Sequence, residues 1–398
     1  MRLFFINIFI YNEINIIIMF HPKKCMMSIF VIIILTSSSV IAIPLKNDNI
    51  KIYSVGSTLY VGGSGLSNYT KIQDAIDNAS DDDIVFVYSG IYYENLIVNK
   101  SINLKGEDKN STIIDGMRKN HVVLIITDHV KINGFTIKNC KQDDYQSGIY
   151  LKSANYSEIY NNNIIKNFYL EKHNQNHHIC GVFIDRDSSN NHIHNNNISN
   201  NEEGIVLYNS RPGNNISNNF ISCIEYWCVL LLFSNDNKII GNEIYCNLSN
   251  DAFNIGLYLC ESSKNIICRN LIIGGFWGDA IWLSEWSDKN TVCYNTIKDF
   301  NSTNGYGGGI GIRLTHSNKN EINYNNFVNN LENVNMCSSH FNRLKRNYWD
   351  DWIGLKSPYL RILPKVIYGY RNGLIFKPLR INIDWHPAKE PYEIDIDT

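Results

Sequence analysis

The chain has only 11 histidines among 398 residues, yet five of them gather in one stretch: His173, His177 and His178, then His192 and His194. His192 and His194 flank Ile193, so on an extended segment with Ile193 turned inward both imidazoles face out. Three such imidazoles suit copper, zinc or nickel, which makes a transition metal the one cofactor the residues point to. The run from His173 to His178 reads equally well as a polar loop. Carboxylates offer a second chemistry. Asp185 and Asp187 stand together before Ser188, while Glu261 and Glu285 each follow a short apolar segment, Glu285 lying between Trp282 and Trp286. Glycoside hydrolysis needs two carboxylates about 5 Å or about 6.5–9.5 Å apart. Taken singly, the same groups are ordinary solvated turn residues. Aromatic rings offer a third. Tyr150, Phe183, Tyr208, Tyr258, Trp282 and Trp286 could stack on sugar rings if the face that carries them is exposed. A loop insertion or the C-terminal segment covering that face is the competing expectation.

The elements that would position these groups follow from a repeat. The pattern apolar-x-x-Asn-x-apolar recurs around Asn133, Asn162, Asn196, Asn219, Asn242, Asn270, Asn295, Asn325 and Asn347. A second pattern, small-apolar-x-apolar, interleaves with it as Gly148 to Leu151, Gly181 to Ile184, Gly204 to Leu207, Cys228 to Leu231, Gly256 to Leu259, Ala280 to Leu283 and Gly311 to Leu314. These are period-two segments, the mark of short strands. A unit this small cannot bury its own apolar side, but units stacked about 4.8 Å apart can. The expected fold is therefore all-β, a parallel β-helix. Asn is expected at its sharp turns because it adopts left-handed backbone more readily than other non-Gly residues, and stacked amides can hydrogen-bond along the column. On this grid the residue between the apolar pair points outward, giving a column Tyr150, Phe183, Val206, Leu230, Tyr258, Trp282, Arg313. Glu261 and Glu285 fall at equivalent positions on adjacent coils.

Composition agrees. The chain holds 58 Asn and 60 Ile, and 44% of it is hydrophobic, which excludes a disordered chain. A net charge of −2 gives no bulk field for nucleic acid. Nine cysteines follow Cys25, an odd number that cannot all pair within an exported chain. They are expected mostly as free, core-like thiols. Cys268 and Cys293 share a repeat position and could stack as thiols or bridge two coils. Cys223 with Cys228 is another candidate pair.

Lys23 and Lys24 precede an apolar run, Met26 to Leu35, and then small residues up to Ala42, the form of a secretory signal. Residues 1–42 are taken as that signal, with translation starting at Met1, Met19 or Met26. Uncleaved, the segment would be the sole membrane contact. Residues 43–80 are expected to form an N-terminal segment whose amphipathic helix, Lys71 to Ala79, caps the first coil, because an uncapped solenoid end exposes strand edges. Residues 81–352 form the β-helix. Residues 353–398 lose the repeat and are taken as a C-terminal cap and extended tail. Nine Asn-x-Ser/Thr sequons, beginning at Asn68, Asn78, Asn99, Asn110, Asn155, Asn197, Asn215, Asn247 and Asn301, agree with an exterior address.

The run Leu59 to Gly65 (LYVGGSG), the stretch Tyr69 to Asp108 and the following STIIDG resemble right-handed parallel β-helix proteins of the pectin-lyase-like superfamily. They are similar to exported NosD-like, carbohydrate-binding and sugar hydrolase repeat proteins. Asn347-Tyr348-Trp349-Asp350-Asp351 matches the way such repeats end. The resemblance spans about residues 59–352. It implies the fold, and it does not single out one function, since that fold serves lyases, hydrolases, binding modules and assembly factors. Three expectations follow. The first is a secreted, extracytoplasmic or cell-surface solenoid that binds an extracellular or envelope glycan without catalysis. The second is a polysaccharide hydrolase or lyase using the carboxylates. The third, implied by the NosD-like resemblance, is a periplasmic copper-binding accessory protein.

Overall fold

A computed structural model describes residues 56–142, 146–168, 179–246, 254–274, 278–301, 308–352, 364–370 and 380–394. The expected signal segment and His173, His177 and His178 lie outside the described residues.

Successive strands visit three sheets in rotation, and nearly all neighbours within each sheet run parallel. The first sheet has 12 strands, from Thr58–Val61 to Arg343–Lys345, and the second has 11, from Gly90–Tyr92 to Tyr348–Trp349. The third also has 12, starting at Leu96–Val98, and ends in an antiparallel ribbon of Lys365–Tyr370 and Arg380–Asp384. This is a parallel β-helix. Strands of three residues dominate, and in most of those in the first two sheets only the middle residue points inward. In the first sheet Ile159, Ile193, Ile216, Ile239, Ile267, Val292 and Ile322 stack in register and are fully buried. In the second sheet Ile164, Ile198, Ile221, Ile244, Ile272, Ile297 and Phe327 do the same. Like side chains stacked on like explain part of the isoleucine excess, each burial being worth roughly 1.5–3 kcal/mol. Strand stacking begins ahead of residue 81, since Thr58–Val61 already pairs with Ile84–Val87. The helix α1 (Ile72–Asn78) buries Ile72, Ala75 and Ile76 against strands of the first and third sheets. Glu94 accepts from the backbone N–H groups of Ile72 and Gln73 at its start.

The asparagines take one of the two roles expected of them: their stacked amides hydrogen-bond along the column, but they do not supply the left-handed backbone. Left-handed backbone belongs to the residue before each column position: Asn161, Asn195, Asn218, Gly241, Arg269, Tyr294, Tyr324 and Arg346 all have positive φ. The following Asn turns its amide inward. Asn270 is typical. Its Nδ2 donates to the carbonyl of Ile239 (2.9 Å) and to Asn295 Oδ1 (3.0 Å), and its Oδ1 accepts from the backbone N–H and Nδ2 of Asn242 (2.9 and 3.0 Å). Similar links join Asn162, Asn196, Asn219, Asn242, Asn270, Asn295, Asn325 and Asn347 into one ladder. Asn133 is not a member. It pairs with Tyr160, two residues before the column, and Phe135 fills the column position, donating its N–H to Asn162 Oδ1. The apolar-x-x-Asn spacing sets Asn133 two residues out of register, because the inward strand residue is Ile132 and not Val130.

A second ladder, unforeseen, runs through Asn191, Asn214, Asn237, Asn265, Asn290, Asn320 and Asn342. Buried serines carry a run on the same turn, three residues before these asparagines, as when Ser262 Oγ receives the N–H of Ser234 and Ser287 Oγ that of Ser262. At the C-terminal end the first ladder stops at Asp384. Its buried carboxylate accepts from the N–H groups of Arg346 and Asn347 and from Trp349 Nε1. A carboxylate, having only acceptors, suits a terminus where N–H groups would otherwise point at nothing.

Removing one ladder amide leaves several buried groups unpaired. Asn270→Ala should cost about 3 kcal/mol, whereas Asn133→Ala, which loses one bond to Asn103, should cost about 1 kcal/mol or less. Thermal melts of the two variants compare them directly. Equal losses would contradict the register described here.

Candidate functional site

The corners made by positive-φ residues decide where side chains leave the solenoid. After six successive strands of the third sheet, from Glu203–Tyr208 to Glu332–Cys337, one such residue projects outward, and the column reads Asn209, Phe233, Glu261, Glu285, His316, Ser338. Glu261 and Glu285 are therefore turn residues on adjacent coils, linked by the Glu261 N–H donating to the Glu285 carbonyl at 2.9 Å. Glu261 lines a groove of about 360 Å³ with Asn235, Asp236, Ser263, Lys264 and Trp286. Trp286 is 62% exposed, itself at positive φ. Glu285 is not among those lining residues; its carboxylate faces His316 Nδ1 at 3.4 Å. The two glutamates thus occupy unlike settings and face different partners. Asp185 accepts from the Tyr150 hydroxyl at 2.6 Å, and Asp187 pairs with Arg211 at 2.6 Å. Each of the four carboxylates proposed for catalysis has its own surroundings.

The outward column of the third sheet is in register as expected, Tyr150, Phe183, Val206, Leu230, Tyr258, Trp282 and Arg313. Its centre is closed. Phe183, Val206 and Leu230 are at most 3% exposed and form a second apolar cluster with Cys180, flanked by Tyr150, Tyr208, Trp227, Leu232 and Tyr258. Phe183 therefore does not present a stacking surface, and Tyr150 and Tyr208 form the edge of that cluster. Burial and the Asp185 acceptor push the Tyr150 hydroxyl well above its usual range. The C-terminal half differs. Tyr258 and Trp282 have ring centroids 5.2 Å apart, Trp282 Nε1 donates to Thr315 Oγ1, and Arg313 lies 5.2 Å over the Trp282 ring. Arg313 is held there by Asp279, which is 1% exposed. Burial raises the Asp279 carboxyl despite that partner.

The first sheet holds a third group of residues. His192 and His194 project outward on either side of buried Ile193. Glu158, one coil earlier, pairs with His192 in the strand register, and its Oε1 lies 3.0 Å from His194 Nε2. Donor atoms of Glu158, His192 and His194 all lie within 4.8 Å of one another. His192 also meets Ser217 Oγ at 2.7 Å, and Lys131 neutralises the other Glu158 oxygen at 3.0 Å. Burial works against ionisation of Glu158, but hydrogen bonds from Lys131 and His194 outweigh it and lower its pKa. Sequence reading missed Glu158. Only the strand register sets Glu158-Ile159-Tyr160 beside His192-Ile193-His194.

His121 packs on Tyr150, ring centroids 4.5 Å apart, and burial followed by the nearby Lys152 charge lowers its pKa to about 4. The unfolded imidazole titrates near 6.5, so between those values the unfolded chain binds more protons. Stability is then full above about pH 6.5 and falls as pH drops towards 4. His121→Gln should reduce that loss in melts at pH 7 and pH 4; an unchanged acid slope would remove His121 as its source.

Comparison with known proteins adds context. The family model described as periplasmic copper-binding protein (NosD) matches residues 46–276 and 166–305. A cell surface glycoprotein of Methanothermus fervidus is 32% identical over 256 residues, covering 60% of this chain and 39% of that protein. The chain thus spans well under half the length of that relative. Among solved structures, DFA-IIIase from Arthrobacter chlorophenolicus A6, without its lid, is similar with a TM-score of 0.52 at 12% identity, over 75% of this chain and 96% of that one. The Dettilon tailspike protein is similar with a TM-score of 0.51 at 18% identity, over 72% and 66%. At such identities these two likenesses speak for the fold alone. With its coils and its matched residues in agreement, the chain belongs to the NosD family.

Proposed function

We propose that this protein is an extracytoplasmic, cell-surface β-helix that binds carbohydrate through the C-terminal half of its third sheet. The observation that carries the reading is the groove beside Trp286. An exposed indole stands next to Asn235, Asp236, Glu261, Ser263 and Lys264, an apolar face surrounded by hydrogen-bonding groups. Sugar rings offer the matching surface, C–H groups on one side and hydroxyls around the rim. The similarity to a cell surface glycoprotein supports an exterior address. Among the described residues no helix is long and apolar enough to cross a membrane. Binding rather than hydrolysis is preferred because Glu261 is exposed, Glu285 is half-exposed, and the two face different partners rather than one shared cleft. A glycan array on the mature chain tests this. Trp286→Asn keeps a residue tolerant of positive φ and should weaken binding at least tenfold. An array without ligands, or binding unchanged in the variant, would overturn the reading.

One observation favours a second reading. The family is described as copper-binding, and two imidazoles and a carboxylate converge on the first sheet. This nitrogen and oxygen set fits a borderline divalent ion such as Cu(II), Zn(II) or Ni(II) better than Cu(I), which prefers sulfur. Glu158, His192 and His194 would hold the ion, with Lys131 balancing charge on the far carboxylate oxygen. Calorimetric titration with Cu(II) or Zn(II) should show a site that Glu158→Gln and His192→Ala each weaken at least tenfold. Metal uptake indifferent to both changes would exclude these ligands.

A further inference from the structure

Cys268 and Cys293 are direct partners in the first-sheet register, each next to a buried inward residue, Ile267 and Val292. Both thiols therefore point outward, and both are only partly buried. Their Sγ atoms lie 3.0 Å apart. Opposed positions on parallel strands hold Cα atoms about 4.8 Å apart, within the span a disulfide bridges. A second close pair, Cys223 and Cys228, also at 3.0 Å, is sealed in the interior. Access and geometry thus coincide only at Cys268 and Cys293 among the described cysteines.

We propose that Cys268 and Cys293 form an oxidative modification site, closing to a disulfide across two coils by exchange with a small-molecule disulfide. Cys268 is the attacking group. The Cys293 thiol donates to it, burial opposes this, and Arg269 adds positive charge, so the net effect favours its thiolate. That thiolate attacks one sulfur of the oxidant RS–SR, whose S–S bond breaks and releases RS⁻. Cys293 then gives its proton to solvent and attacks Cys268 Sγ, expelling the second RS⁻. Two protein thiols are oxidised and one small-molecule disulfide is reduced to two thiols. The bond ties the coil that ends in Ile281–Ser284, with Trp282, to the coil that ends in Ile310–Thr315, with Arg313. It fixes their spacing whatever that face binds.

The test uses the mature chain, equilibrated with oxidised glutathione or with reductant, then alkylated, digested and mapped without reduction. The expected result is a crosslinked peptide joining Cys268 to Cys293 that reductant abolishes, and a melting midpoint about 5 °C higher in the oxidised form. Cys293→Ser should leave Cys268 as a mixed disulfide with glutathione and no rise in midpoint. Cys223→Ser should keep both crosslink and rise. Cys268 and Cys293 both alkylated after oxidation, or either bridged to another cysteine, would overturn the proposal.

Discussion

The structure depends on the buried side-chain amide of the ladder asparagines. A β-helix must turn sharply at every corner, and its corners are stacked, so each buries backbone groups that no strand ladder satisfies. An Asn amide supplies two donors and an acceptor, which serve the carbonyl one coil below and the N–H of the neighbouring coil together. Asn270 makes four such bonds with none of its surface exposed. A residue at positive φ turns the chain just before it. Corner and ladder form a two-residue unit that repeats along the solenoid and ends on Asp384.

That unit sets where chemistry can sit. With core and corners fixed, outward positions are free to vary while their spacing stays at the strand interval. The residue at positive φ carries no constraint on identity except tolerance of the conformation, and so it can be Glu261, Glu285, Trp286 or His316. Functional side chains placed there rest on a rigid frame and pay a local conformational cost of about 1 kcal/mol or more each. The same logic brings Glu158, His192 and His194 together on the first sheet and Cys268 with Cys293 further along it.

Much of this was legible in the sequence because repetition makes register visible. Eight of the nine proposed column asparagines occupy one ladder, from Asn162 to Asn347. Asn133 misled because a two-residue shift preserves the apolar-x-x-Asn spacing while exchanging strand and corner. The second Asn ladder was also in plain view, three residues after Ser234, Ser262, Ser287, Ser317 and Ser339. It was overlooked because only one apolar flank marks it. Burial of Phe183 could not be read from its position, since an outward residue in a small-apolar-x-apolar strand is exposed only if nothing packs on the sheet. Glu158 needed the register between coils of unequal length, which an insertion between Asn162 and Asn196 obscures.

Residue-resolved hydrogen exchange of the protein measures the central claim most directly. The backbone N–H groups of Asn242, Asn270 and Asn295 lie at turns, and exposed turn amides exchange quickly. If buried side-chain amides hold the corners, these N–H groups should be protected as strongly as those of Ile239 and Ile267 within the strands. Rapid exchange at the three asparagines beside slow exchange in the strands would show that the corners are held by something else.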